Sequence, residues 1–194
     1  MNNFLSLISL QPILIRLWHV SKPNHNSSRF VFARSVVIST FIAFMFGYHV
    51  HEKAILMVLI PLTPLAFLSI EEAKVFSLLS ILGTFALFPL LHREGETVTK
   101  ISLMLLYAFY MYKSLITLHA KELIGRSLLK RTELIYLLGI PAIQLLSSFG
   151  HLVPVLKHYE FLPLLLTSIY CSVGILHQFI KYYTFNMSRK QLSD

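Results

Sequence analysis

The densest group of chemically capable side chains in this 194-residue sequence is the stretch Phe46-Gly47-Tyr48-His49-Val50-His51-Glu52-Lys53. Four ionisable side chains fall within five positions, His49 to Lys53, and an apolar stretch begins directly after them. Glu52 and Lys53 therefore stand at or near a helix N-terminus, where free N–H groups and the helix dipole favour anions. Lys53, with His49 or His51, offers charged hydrogen-bond donors to a phosphate. The chemistry this grouping suggests is the holding of a phosphate-bearing substrate at a membrane surface. The alternative is a short polar loop in which Glu52 neutralises Lys53 and caps the helix. Zinc is a weaker alternative. His49 and His51 suit one extended segment, but neither an HExxH pattern nor a Cys ligand accompanies them, so no metal is expected.

The elements that must position these residues follow from composition. Apolar residues make up 55% of the chain and charged residues only 13%, the latter about half the share of a soluble domain. Mean hydropathy is +0.66. The apolar residues lie in blocks, which excludes a disordered chain and argues against a soluble globular one. Long runs without strict alternation exclude a membrane β-barrel and leave helices. A helix needs about 20 mostly apolar residues to cross a bilayer. On that measure about seven transmembrane helices are expected, near 4–20, 30–48, 54–70, 75–91, 101–118, 133–149 and 161–180. The fold class is all-α, a polytopic membrane protein with one helical membrane domain over 1–194. The first stretch carries Pro12 and Arg16. It reads as a short span, since a signal peptide would show a basic leader and a small-residue cleavage site. Pro61 and Pro64 are expected to bend the third span. The single cysteine, Cys171, rules out an intramolecular disulfide and any CxxC site.

The formal charge of +8 arises from 17 Lys and Arg against 9 Asp and Glu. These basic residues sit in short loops, where they set orientation, so no nucleic-acid partner is expected. One side of the seven-span path carries ten of them, including Lys22, Arg29, Lys74, Lys121, Lys130, Arg131 and Lys181. The other carries four: Lys53, Arg93, Lys100 and Lys157. The positive-inside rule makes the first side cytosolic, together with the C-terminus, and makes the His49–Lys53 loop lumenal. Arg16, Arg34 and Lys113, within spans, are expected to snorkel to the cytosolic interface. The Lys121–Arg131 loop reads as a topological signal, with anionic headgroups as the alternative. The aromatic run Tyr107, Phe109, Tyr110 and Tyr112 reads as packing or lipid-facing surface, with a lipid groove as the alternative.

Three segments carry a resemblance. The stretch Phe44 to Leu56, containing Val50-His51-Glu52-Lys53, resembles the signature of the endoplasmic-reticulum dolichyl-phosphate-glucose α-1,3-glucosyltransferases, multi-span enzymes of the GT-C fold. Leu87-Phe88-Pro89-Leu90-Leu91 and the segment Phe161 to Ile175 are similar to the same family, in the same order. His49 and Tyr170-Cys171 bring the sequence nearer to members that add the second glucose than to sister members that add the first. The resemblance implies transfer in the lumen from dolichyl phosphate glucose to a monoglucosylated dolichyl-diphosphate oligosaccharide, with membrane lipid around it and no cofactor beyond the donor. It implies that His51 and Lys53 contact the donor phosphate, with His49 behind them. Glu52 would orient Lys53 or bind sugar hydroxyls. It further implies that this chain matches the C-terminal part of longer members. The family's aspartate base then lies outside it, and no catalytic residue is assigned. A transporter would show paired half-repeats, and none is found. A non-catalytic membrane scaffold is the remaining rival.

Overall fold

The computed structural model describes residues 2–20, 28–47, 50–90, 96–125, 127–149 and 161–188, and these form helices and turns with no strand among them. Among the described residues eight α-helices follow one another: α1 Asn2–Val20, α2 Ser28–Phe46, α3 Leu56–Leu68, α4 Ile70–Ala86, α5 Thr97–Leu118, α6 Arg131–Leu137, α7 Gly139–Phe149 and α8 Leu162–Ser188. Short 3-10 turns lie at Glu52–Ile55 and Phe88–Leu90. Three helical stretches among the described residues are long and apolar enough to cross a membrane: Arg29–Phe46, Thr97–Leu118 and Leu162–Met187. The architecture is that of an all-α membrane protein.

Two of the expected spans are not single helices. Over 54–70 the chain forms a 3-10 turn and then the 13-residue α3, which ends where Ser69 turns extended at φ −146°, ψ 134°. At 1.5 Å per residue α3 is about 20 Å long, short of the roughly 30 Å hydrocarbon core. It continues through Pro61 and Pro64, as helices in apolar surroundings can. Over 133–149 the helix breaks at Leu138, between α6 and α7. Pro141 accounts for the break, because it has no N–H for the carbonyl of Leu137 and its ring crowds that carbonyl. Pro163 causes no such break in the 27-residue α8. It sits in the first turn, where the missing N–H would have no partner in any case.

The chain forms two compact units, Met1–Phe76 with Gln178–Asp194 and Ser77–His177. In the first, α1 packs on α2 and α2 on α3. Phe179 of α8 meets Phe41 and Phe46 of α2, with ring centroids 5.3 and 6.2 Å apart. Further along α8, Gln178, Tyr182 and Asn186 lie at fourfold spacing on one buried face. In the second unit the core is built on α4, where Leu78, Leu79, Leu82 and Phe85 are buried. By contrast α5 is almost bare, with Leu115 its one buried residue.

A buried ion pair crosses the first unit. Arg34 Nε of α2 donates to Glu72 Oε1 of α4 at 2.6 Å, and the Glu72 side chain is fully enclosed. Arg34 is thus turned inward to a partner, where charge counting alone expects it to reach for the interface. Glu72 lies in the first turn of α4, beside Glu71, where the helix dipole favours a carboxylate. Its second oxygen, Oε2, has no hydrogen-bond partner among the described residues.

Removing one partner of a buried pair leaves an uncompensated charge, which costs about 3–5 kcal/mol, whereas replacing both with apolar groups is often neutral. Glu72→Ala is therefore expected to lower the unfolding midpoint of the detergent-solubilised protein steeply. The double variant Arg34→Met, Glu72→Leu is expected to recover most of that loss. A double variant as unstable as Glu72→Ala alone would contradict this.

Candidate functional site

The chain leaves α2 through Gly47. Its N–H still donates to the Ala43 carbonyl at 2.9 Å. A Cβ at Gly47 would stand 2.5 Å from that same oxygen and 2.5 Å from Val50 Cγ2, so this tight exit admits only glycine. Phe46, packed edge-on against Phe179, fixes the end of the helix just before the exit. His51 is extended, at φ −79° and ψ 149°, and its carbonyl accepts from Ala54 N–H at 2.8 Å to open the 3-10 turn. Ile55, buried to 1% exposure, anchors the far side of that turn and leads into α3.

Between these two anchors the polar side chains face outward. His51 and Glu52 have side-chain exposures of 73% and 47%, and Lys53 is exposed as well. Glu52 Oε2 lies 3.1 Å from His51 Nδ1. Glu52 therefore faces the histidine and not Lys53, and no side chain caps the turn. That departs from two of the readings of Glu52, as partner of Lys53 and as helix cap. His49 lies outside the described residues. The structure thus sets an imidazole and a carboxylate in contact, with an ammonium next in sequence, on one exposed turn. Such a turn can present charged donors to an anion arriving from outside.

The segment around Tyr170 has a different job. The rings of Tyr136 (α6) and Tyr170 (α8) stack 4.4 Å apart with only 4° between their planes. Each hydroxyl donates to the other residue's backbone carbonyl. Glycines make room for both rings. A Cβ on Gly139 would meet the Tyr170 ring, and a Cβ on Gly174 would meet Leu82 and lie 2.8 Å from the Tyr136 ring. Cys171 is buried beside this clasp. Tyr170 and Cys171 are packing residues here. The partner, Tyr136, carries no signal in the sequence beyond its own spacing of three from a glycine.

An all-α membrane protein with a charged turn at the end of a spanning helix is the class that fold and site define. More narrowly, the chain belongs to the ALG6, ALG8 glycosyltransferase family, whose model matches residues 1–182. This agrees with the family that the three sequence segments suggested. The dolichyl pyrophosphate Glc1Man9GlcNAc2 alpha-1,3-glucosyltransferase of Mus musculus is 39% identical over 181 residues, covering 92% of this chain and 32% of the mouse protein. The probable enzyme of the same name from Drosophila melanogaster is 39% identical over 93% of this chain and 34% of its own length. The Arabidopsis thaliana enzyme is 33% identical over 90% of this chain and 35% of its own. The chain thus spans about a third of the length of these curated relatives. No solved structure gives a significant match to it.

The clasp makes a prediction of reversed sign. Replacing a helical glycine with alanine ordinarily gains up to about 1 kcal/mol of helix propensity. Gly174→Ala is nevertheless expected to destabilise the protein, because the added carbon has no space beneath Tyr136. Tyr136→Phe and Tyr170→Phe, each losing one hydroxyl bond, are expected to cost about 1 kcal/mol apiece. Thermal unfolding in detergent micelles checks all three, and a Gly174→Ala variant more stable than wild type would contradict the packing described.

Proposed function

We propose that the protein serves glucosyl transfer in the endoplasmic-reticulum membrane, from dolichyl phosphate glucose to the monoglucosylated dolichyl-diphosphate oligosaccharide of N-glycan precursor assembly. The observation that carries this reading is the 39% identity to two relatives of that name over more than nine-tenths of the chain. The exposed turn His51–Lys53 supports it chemically. In the transfer, the bond between glucose C1 and the phosphate oxygen breaks and the phosphate leaves with the electron pair. C1 bonds to the acceptor hydroxyl, whose proton passes to a base. Charge develops on the departing phosphate, and donors already aimed at it stabilise the transition state more than the ground state.

Lys53 supplies positive charge to that phosphate. His51, held at Nδ1 by Glu52, keeps Nε2 for the same group. Glu52 is a positioning residue that acts through His51, in place of the orienting role toward Lys53 that the resemblance implies. The base is not assigned to any residue of this chain. Loop charge supports a lumenal position for the turn and a cytosolic C-terminus.

The test uses membranes from cells in which the native protein is replaced by variants at matched abundance, supplied with radiolabelled dolichyl phosphate glucose and acceptor. Loss of one preorganised donor to a developing charge typically costs on the order of a hundredfold or more in rate, and Lys53→Gln and His51→Ala are each expected to fall by about that much. Glu52→Gln is expected to fall less. Added to His51→Ala, it is expected to lower the rate no further, since its effect passes through the imidazole. Wild-type rates in the Lys53 and His51 variants would overturn the reading.

A further inference from the structure

Transfer between two lipid-linked substrates needs two places for lipid phosphate, and the His51–Lys53 turn accounts for one. The second unit contains a cavity of about 460 Å³, a size within the range of small-molecule sites. Its lining includes Phe88, Lys100, Gln144, Ser147, Phe161 and Thr167. Two of the three family-like segments, Leu87–Leu91 and Phe161–Ile175, therefore meet here although some 70 residues separate them. Among the described lining residues Lys100 is the charged one, its ammonium 5.5 Å from the centre of the Phe88 ring. Phe88 is itself held edge-on by Phe85 at 5.4 Å.

Further polar groups come from α7 and α8. Gln144 Nε2 donates to Ser148 Oγ at 3.2 Å, and an amide nitrogen carries a second N–H. Ser147 is exposed, whereas the Thr167 hydroxyl is committed to the Pro163 carbonyl. A cation, an amide and a hydroxyl against aromatic walls suit an anion attached to an apolar chain. The path for that chain lies on α5. Leu103, Tyr107 and Tyr110 follow Lys100 at i+3, i+7 and i+10, on the same helix face, and all three are exposed. This row of exposed side chains gives an apolar chain a path below a phosphoryl end at Lys100.

Resting on the function proposed above, we propose that the Lys100 cavity receives the phosphate end of a polyprenyl-linked substrate, the diphosphate of the acceptor lipid, with its chain along α5. The test is photolabelling of the full protein in detergent with a diazirine analogue of farnesyl diphosphate, followed by peptide mapping of the adducts. Adducts are expected within 97–118 and 161–175. Lys100→Gln and the cavity-filling Ser147→Phe are each expected to reduce them about tenfold, while Lys100→Arg retains them and Lys53→Gln leaves them unchanged. Melting temperatures of the variants separate loss of the site from loss of the fold.

Adducts at these segments that survive Lys100→Gln would overturn the proposal. So would equal labelling by the phosphate-free farnesol analogue, which would mark a bare apolar groove. Full competition by phosphatidylglycerol micelles would also overturn it, marking an ordinary phospholipid position. Labelling confined to the 51–53 region and lost in Lys53→Gln would overturn this proposal while leaving the donor-phosphate reading intact.

Discussion

Hydrocarbon offers no hydrogen bonds, so a polar group that enters it without a partner inside the protein carries a large cost. That constraint organises this molecule. The backbone answers it by being helical almost throughout the described residues. The hydroxyl side chains answer it by turning back on their own helices: Ser35 to Val31, Thr63 to Leu59, Thr84 to Ser80, Thr167 to Pro163 and Ser172 to Ser168. The charged pair Arg34–Glu72 answers it by mutual contact, and the two tyrosines of the clasp answer it by donating to each other's carbonyls.

Against that background the turn at His51–Lys53 stands out because its polar groups face outward. Its shape is set by apolar residues and a glycine. Phe46 against Phe179 fixes the entry, Gly47 permits the tight exit from α2, and Ile55 anchors the start of α3. The function proposed above asks this turn to present His51 and Lys53 to a leaving phosphate. The Lys100 cavity follows a similar plan, with aromatic packing beneath the cation.

Much of this was legible in the sequence, for physical reasons that also mark where legibility ended. The expected spans 30–48, 101–118 and 161–180 correspond to α2, α5 and α8, because long apolar blocks between polar loops have few other solutions. The blocks 54–70 and 133–149 misled because hydropathy averages over a window and does not register where a proline removes a donor. Pro141 divides the second block into α6 and α7. In sequence Arg34 stands as a lone cation, since its partner Glu72 is 38 positions away and nothing local links them. Glu52 adjoins Lys53 on one side, but in the structure it meets the neighbour on the other, the extended His51. The convergence of Phe88 and Phe161 on one cavity is a tertiary fact that neither segment announces alone.

The function proposed above is the addition of glucose to a monoglucosylated lipid-linked acceptor. The most direct measurement is the profile of lipid-linked oligosaccharides, extracted and resolved by chromatography, in cells from which the protein has been removed. The account predicts accumulation of the acceptor that carries one glucose. An unchanged profile, or accumulation of the species that carries none, would contradict it.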